Sequence, residues 1–195
     1  MRINKHCAVG ALLIFTAWVG IAIGAEQVSV EASRHGTAVA IKARATIKAP
    51  HALIWQTLTD YDHLSEFIPG MSKSHVVERR GNTAIVEQMG EAEFLFFTYP
   101  IEVVVEALEE PPAYIGIRVL KGNLKQLDGG YRIEKTGHSD DEFVLRWSGI
   151  IEPSTSMPLF ITVPLMRATV SDQFRGMVKE IERRETSRAA KRADE

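Results

Sequence analysis

The spacing of apolar residues changes near Pro158 and divides the sequence into a β-rich part and a helical end. Beyond this proline, apolar residues recur at steps of three and four, at Phe160, Val163, Met166, Val170, Phe174, Met177 and Ile181. That spacing predicts one long amphipathic helix. Its apolar face, about five turns long, must be buried, and the concave side of a curved sheet is the surface that matches it.

The residues before this helix are predicted to form seven strands and two short helices. Residues 36–48 alternate apolar and polar side chains, which indicates a half-buried strand. Pro50 begins a helical segment, 51–68, that Asp60 and Asp62 divide into two short helices. Six further short runs are rich in β-forming residues and separated by Gly, Pro, Asn and Asp, as in an antiparallel meander.

This order of elements predicts an α+β fold in which a seven-stranded antiparallel sheet curves round the final helix. The two short helices after the first strand would cap an end or an edge of the sheet. A sheet wrapped round one helix is difficult to fill with side chains and commonly leaves a hydrophobic cavity, and such cavities are usual ligand sites.

The first 25 residues have the pattern of a secretory signal peptide. Arg2 and Lys5 precede an apolar run over 7–24, and small residues stand at its end before Glu26. An uncleaved anchor is the alternative, because 18 apolar residues just reach membrane-spanning length. We therefore expect a periplasmic or secreted protein, with a membrane-anchored form as the alternative.

A single domain is expected over 36–184, after an N-terminal extension at 26–35 and before a charged C-terminal tail at 185–195. The net charge of −2, from 23 Lys and Arg against 25 Asp and Glu, is not typical of a nucleic-acid-binding protein. The one cysteine, Cys7, lies in the signal segment. No disulfide, thiol nucleophile or thiolate metal ligand is therefore expected in the domain.

Two stretches resemble a known superfamily. The first is IKAPHALIWQTLTDYDHLSEFIPGM at 47–71, and the second is LRWSGIIEPSTSMPLFITVP at 145–164. Together with the order of elements, they resemble the helix-grip fold of the START and birch-pollen-allergen superfamily, also called SRPBCC. Within it the chain is similar to the polyketide cyclase/dehydrase group and its coenzyme Q-binding START-like proteins, over about residues 36–184. The resemblance implies a ligand cavity between the sheet and the last helix, in a superfamily that includes lipid and quinone carriers and aromatic cyclases.

Residues near the inward faces and the ends of the elements are the candidates for contact with a hydrophobic ligand. They are Trp55, Phe94, Phe97, Tyr99, Val103, Tyr131, Trp147, Phe160, Met166, Val170 and Phe174. The alternative for each is a plain core residue. Tyr99, Tyr131 or Arg118 would orient the ligand through a polar group. The expected function is a non-enzymatic carrier or sensor of a lipid, quinone, fatty acid or polyketide-like molecule.

An enzyme of the cyclase or dehydrase type, acting in the same cavity, is the alternative. It would need an acid–base pair, for which the candidates are Asp60, His63, Glu87, Glu91 and Glu93. Each of these also fits an ordinary solvent-exposed side chain. The histidines show neither HxH nor HxxxH spacing, so no metal or other cofactor is expected. A third alternative is a protein-interaction module whose cavity has collapsed.

Two connections are unusually apolar, FLFFTYP at 94–100 and MPLFITVPLM at 157–166. If both surround the mouth of the cavity, they would contact a bilayer while the ligand is exchanged. The alternative is that each is the buried start of a strand or helix.

Overall fold

The structure is a computed structural model and describes residues 28–137, 139–155 and 157–193. Its elements, in chain order, are β1 (Ser29–His35), β2 (Ala38–Lys48), α1 (His51–Leu58), α2 (Leu64–Phe67), β3 (Met71–Arg80), β4 (Thr83–Phe94), β5 (Phe97–Glu110), β6 (Tyr114–Gly122), β7 (Leu124–Lys135), β8 (Glu142–Pro153) and α3 (Leu159–Ala193). A 3-10 turn at Tyr61–His63 joins α1 to α2. The predicted signal peptide lies outside the described residues.

The eight strands form one antiparallel sheet in the order β1-β2-β8-β7-β6-β5-β4-β3. Helix α3 contacts β1 and β2 near one edge of the sheet and β4 near the other. One helix reaches both edges only if the sheet curves round it. The predicted α+β helix-grip fold is therefore confirmed.

The sheet has eight strands where the sequence predicted seven. The additional strand, β1, occupies most of the segment 26–35 that was expected to be an extension. It pairs with β2 along its whole length, after a turn in which Gly36 takes a φ of +62°. Arg167 of α3 donates from Nε to the carbonyl oxygen of Val30 at 3.2 Å. The prediction was wrong because only three apolar residues alternate in this segment, and pairing with β2 supplies the rest of the stabilisation.

The core lies between the concave face of the sheet and α3. In β2 the predicted inward face is buried, at Val39, Ile41, Ala43, Ala45 and Ile47. In α3 the predicted apolar stripe is buried from its third member to its last, at Met166, Val170, Phe174, Met177 and Ile181. The first member, Phe160, is 79% exposed, so the buried stripe does not include the start of the helix.

Helix α3 continues through the segment that was expected to be a charged tail. It ends at Ala193, nine residues into the interval 185–195. The local charge pattern supports these turns: Arg188 donates from Nε and Nη2 to the carboxylate of Glu185 at 2.8 and 3.0 Å. Ion pairs at this spacing stabilise an exposed helix without an apolar stripe. Among the described residues, no helix combines the length and apolar character needed to cross a bilayer.

Candidate functional site

A cavity of about 160 Å³ lies between α3 and the sheet. Its wall is formed by the 3-10 turn, α2, the inner faces of β4 to β8, and the middle of α3. The lining residues are Leu58, Tyr61, Leu64, Ile68, Gly70, Met71, Val86, Gln88, Met89, Gly90, Ile101, Val103, Val105, Ala107, Ile115, Ile117, Leu124, Leu127, Tyr131, Trp147, Ile151, Met166, Thr169, Val170, Gln173, Phe174 and Met177.

The lining is apolar, with a few neutral polar groups. None of the described residues that form the wall is Asp, Glu, His, Lys, Arg or Cys. Four methionines provide flexible side chains that adapt to differently shaped ligands. The polar groups come from Tyr61, Gln88, Tyr131, Thr169 and Gln173. The cavity can therefore hold an apolar body and make a small number of uncharged hydrogen bonds.

Two tyrosines supply hydroxyl groups to the cavity wall. The hydroxyl of Tyr61 is buried and, within the described part of the chain, makes no hydrogen bond of normal geometry, although it lies close enough to the carboxylate of Glu109 to interact weakly with it. Its burial, and the carboxylate of Glu109 nearby, raise the pKa of Tyr61 well above its usual range. Burial raises the pKa of Tyr131 to about 12. Both phenols are therefore neutral at physiological pH and are available as hydrogen-bond donors.

The positions of these rings are set by their neighbours. The rings of Tyr131 and Phe174 lie parallel, with an interplanar angle of 6° and centroids 6.4 Å apart. The guanidinium of Arg79 lies 5.6 Å from the centroid of the Tyr61 ring and donates to Glu109 at 3.0 Å. The two hydroxyl-bearing rings are thus held by α3 on one side and by an ion pair on the other.

The cavity opens into an outer pocket of about 600 Å³. The two spaces share lining residues at Gly70, Met71, Met89, Gly90, Ile101 and Thr169. Four carboxylates, those of Glu91, Glu93, Glu102 and Asp172, line the outer pocket only. The site therefore consists of an apolar inner space behind an acidic opening.

Gly90 is required at this opening because the turn that leads into β3 approaches β4 closely there. A Cβ at Gly90 would stand 2.1 Å from the carbonyl oxygen of Gly70. Gly70 has a φ of +75°, which favours glycine at the turn from α2 into β3. These two glycines allow β3 to start directly beside β4.

The structure brings six of the predicted ligand residues together in the cavity wall. They are Val103, Tyr131, Trp147, Met166, Val170 and Phe174. Four others lie elsewhere. Trp55 is half-buried against the core, Phe97 lies in the β4–β5 hairpin, Tyr99 is buried, and Phe160 is exposed. The side chain of Phe94 lies outside the described part of the structure.

Of the three side chains predicted to orient the ligand, some also lie in the cavity wall and others lie elsewhere. Tyr131 lines the cavity. Tyr99 uses its hydroxyl to donate to the carbonyl oxygen of Asn123 at 2.5 Å. Arg118 donates from Nε to Glu106 at 2.8 Å on the outer face of the sheet. Only Tyr131 of these three is placed to orient a ligand in the cavity.

Sequence reasoning missed most of the aliphatic and polar part of the wall. Val86 and Gln88 on β4 alternate inward, and so do Val105 and Ala107 on β5, beside the predicted Val103. The period-two pattern of the strands identifies these inward positions, but the candidates were chosen mainly among the aromatic residues. Tyr61 gave no local signal, because a tyrosine in a helix break is equally compatible with a solvent position.

The predicted acid–base candidates do not line the cavity. Asp60 accepts from Nδ1 of His63 at 2.6 Å and from Nη2 of Arg184 at 2.8 Å. Burial acts to raise the pKa of Asp60, but these hydrogen bonds outweigh burial and lower it. Glu87 is paired with Lys73. Among the described residues, no group of three or more His, Cys, Asp or Glu is arranged to hold a metal ion.

The two apolar connections meet at the same end of the sheet. The β4–β5 hairpin lies at this end, where β5 starts beside the end of β6, and β8 ends there beside the start of β7. At the tip of the hairpin, Leu95 is 81% and Phe96 is 83% exposed, and Phe160 is exposed at the start of α3. The two segments thus place three exposed apolar side chains at one end of the molecule.

Comparison with known proteins gives a family and a fold. The family model for polyketide cyclase / dehydrase and lipid transport matches residues 47–183. A comparison with curated proteins found no match.

Three solved structures illustrate the fold. The Zhui aromatase/cyclase from Streptomyces sp. R1128 superposes with a TM-score of 0.63 at 15% identity, over 75% of this chain and 95% of that one. A START superfamily protein from Mycobacterium smegmatis has a TM-score of 0.63 at 12% identity, over 74% and 97%. A STAR-related lipid transfer protein from Xanthomonas axonopodis has a TM-score of 0.61 at 10% identity, over 80% and 98%. At these identities the likeness establishes the helix-grip fold alone.

Proposed function

The chain belongs to the polyketide cyclase / dehydrase and lipid transport family, and on that basis we propose that it is a non-enzymatic carrier or sensor of a hydrophobic small molecule. One observation carries the choice of carrier over enzyme: the described cavity wall contains no Asp, Glu, His, Lys, Arg or Cys. Affinity would come from apolar area removed from water, at about 25 cal/mol per Å². Two neutral tyrosine hydroxyls would fix the orientation.

The dimensions of the site indicate how such a ligand lies. The inner cavity, at about 160 Å³, is smaller than the roughly 300–1,000 Å³ of usual small-molecule sites. The outer pocket continues from it. A lipid-sized ligand would therefore place its apolar part between α3 and the sheet and extend through the opening.

The chemistry of the site favours an uncharged ligand. The hydroxyls of Tyr61 and Tyr131 donate to carbonyl or hydroxyl oxygens, which quinones, polyketides and neutral lipids offer. The carboxylates of Glu91, Glu93 and Glu102 at the opening would repel a fatty-acid carboxylate. We therefore place quinone-like and polyketide-like molecules ahead of free fatty acids.

The location we propose is the periplasm or the outside of the cell, on the signal-peptide pattern of the first 25 residues. Loading and release would occur at a membrane. The exposed side chains of Leu95, Phe96 and Phe160 support this, because they project at one end of the sheet and can enter the bilayer interface.

An enzyme of the cyclase or dehydrase type is the second candidate. The observation that favours it is the pair of tyrosines in an apolar cavity, since two hydroxyl donors can stabilise an oxyanion in the substrate. The observation against an enzyme is that the described cavity wall lacks a group suited to proton transfer. The pKa of Tyr131 is raised to about 12 and that of Tyr61 is also raised above its usual range, so neither phenol is poised as a base near neutral pH.

Native mass spectrometry of the chain purified from its own source, followed by extraction of the bound molecule, tests the proposal. We expect a hydrophobic compound that comes back unchanged after incubation. Trp147→Ala, in the cavity wall, should weaken rebinding of that compound by about thirtyfold, the equivalent of about 2 kcal/mol. Trp55→Ala removes the same side chain outside the wall and is the matched control.

Two results would contradict the carrier. One is a ligand that returns chemically altered, with the alteration lost in Tyr61→Phe or Tyr131→Phe. The other is a purified protein that retains no apolar compound and binds neither a quinone nor a neutral lipid when these are supplied.

A further inference from the structure

Three arginines stand side by side on the outer face of the sheet, on three neighbouring strands. Arg44 of β2 is directly opposite Arg146 of β8, and Arg146 is directly opposite Arg132 of β7. All three side chains are exposed. We call this set the arginine row. Like charges directly opposite one another across strands destabilise a sheet, so the arrangement has an energetic cost in the isolated protein.

Elsewhere on the same face, opposite charges stand across the strands. Arg118 is directly opposite Glu106 and donates to it at 2.8 Å. Lys125 donates to Glu152 at 2.8 Å on the neighbouring strand. The arginine row departs from this pattern: Arg146 donates to Glu134 at 2.8 Å, while no carboxylate in the described part of the chain pairs with Arg44. The concentration of positive charge is therefore local.

The arginine row lies in a groove of about 650 Å³. Its floor is low because Gly130 has no side chain: a Cβ there would stand 2.8 Å from the ring of Tyr114. The guanidinium of Arg132 lies 4.8 Å from the centroid of that ring, which holds it at the edge of the groove. Ser148 adds a hydroxyl to the lining.

The groove carries excess positive charge in a chain whose net charge is −2. Its four cations are Lys42 and the arginine row, and its two carboxylates are Glu31 and Glu134. Guanidinium groups bind the oxygens of phosphate in a bidentate manner, with charge-assisted hydrogen bonds. A doubly charged phosphate would neutralise the excess and remove the repulsion along the row.

We propose that this groove is a binding site for a phosphate group, separate from the hydrophobic cavity. The row is on the convex face, whereas the cavity is on the concave face against α3. Arg44, Arg132 and Arg146 bind the phosphate oxygens, and Lys42 and Ser148 contribute at the side. The phosphate is carried either by a soluble phosphate ester or by the headgroup of an anionic phospholipid.

Titration calorimetry of the full chain at low ionic strength tests the site. The soluble probe is inorganic pyrophosphate, and the lipid probe is a vesicle of phosphatidylglycerol in phosphatidylcholine. We expect saturable binding of at least one probe. Arg44→Gln and Arg132→Gln should each weaken it about tenfold or more, as expected for loss of a charge-assisted hydrogen bond. Arg118→Gln, which removes an arginine from the same face outside the row, should change it less than about twofold.

Thermal unfolding of the unliganded protein provides a second measurement. Arg44→Gln should raise the midpoint at low salt, because it removes a directly opposed like charge, and Arg118→Gln should not. Pyrophosphate or the anionic vesicle, whichever binds, should raise the midpoint of the wild-type protein more than that of Arg44→Gln. The proposal is overturned if neither probe binds saturably, or if Arg118→Gln weakens binding as much as the variants of the row.

Discussion

Arg184 and Asp60 join the last third of α3 to the junction after α1, with Nη2 and Oδ2 2.8 Å apart although the two residues are 124 positions apart in the sequence. The same guanidinium donates from Nε to Glu180 at 2.7 Å, and it lies 5.5 Å from the centroid of the Phe67 ring. One side chain therefore contacts the three helical segments that close this end of the fold. It also accounts for Asp60 structurally, as an ion-pair partner rather than an acid or base.

Arg184→Ala should lower the free energy of unfolding by about 2 kcal/mol, because two carboxylates lose a charge-assisted hydrogen bond. Arg183→Ala is the matched control: it also removes a partner of Glu180, but its side chain is 67% exposed against 25% for Arg184. Urea unfolding should show less than about 1 kcal/mol for the control. Equal losses in the two variants would mean that the bridge to Asp60 contributes nothing.

The His63–Asp60 pair should make stability depend on pH. The hydrogen bond to Asp60 raises the pKa of His63 in the folded protein. The stabilisation is therefore complete below the unfolded pKa of about 6.5 and is lost as the pH rises through the folded value. Relative to His63→Gln, the wild-type free energy of unfolding should fall as the pH rises above about 6.5. The difference should vanish in an Asp60→Asn background; its persistence there would contradict the assignment.

Phe174→Asp should unfold the domain or remove its ligand, because Phe174 is buried against Tyr131 and a carboxylate there has no partner. Burial of an unpaired charge costs several kcal/mol. Arg175→Ala changes the next residue, whose side chain is 53% exposed, and should alter stability by less than about 0.5 kcal/mol. Circular dichroism melts that are the same for Phe174→Asp and wild type would show that α3 does not pack on the sheet as described.

Removal of the Tyr61 hydroxyl should be harmless to the ligand-free protein. In the described part of the chain it makes no hydrogen bond of normal geometry, only a weak interaction with the carboxylate of Glu109. Tyr61→Phe should therefore change the free energy of unfolding by less than about 0.5 kcal/mol or increase it. Tyr99→Phe is the contrast, because it removes one of the two donors to the Asn123 carbonyl, the other being the backbone N–H of Ser154, and should cost about 1 kcal/mol. If Tyr61→Phe proves the more destabilising of the two in chemical denaturation, its hydroxyl is bonded within the protein and is not free for a ligand.

Phe96→Asp should reduce sedimentation with neutral phosphatidylcholine vesicles, because it places a charge at the apolar end of the molecule. Val77→Asp, which changes an exposed apolar residue on β3, should leave it unchanged. Neutral vesicles keep this measurement independent of the arginine row. If Phe96→Asp sediments with the vesicles as the wild-type protein does, the β4–β5 hairpin does not contact the membrane.

Local periodicity was sufficient to predict the class of fold. The alternation over 36–48 identified β2 with its inward face, and the spacing from Met166 to Ile181 identified the buried side of α3. Both patterns depend only on the pitch of a strand or a helix, which each segment carries in itself. β1 was missed because so short a run becomes a strand through its pairing with β2.

Tertiary structure alone decided which apolar residues form the site. Val103 and Tyr99 share a face of β5, yet Val103 lines the cavity and Tyr99 donates to a turn. That difference depends on which part of β5 borders the cavity. The arginine row likewise exists only through the register of β2, β8 and β7, and the bridge from Asp60 to Arg184 only through the closure of the whole chain. A sequence records the period of each element, but the distance between elements is set by side-chain packing across the fold.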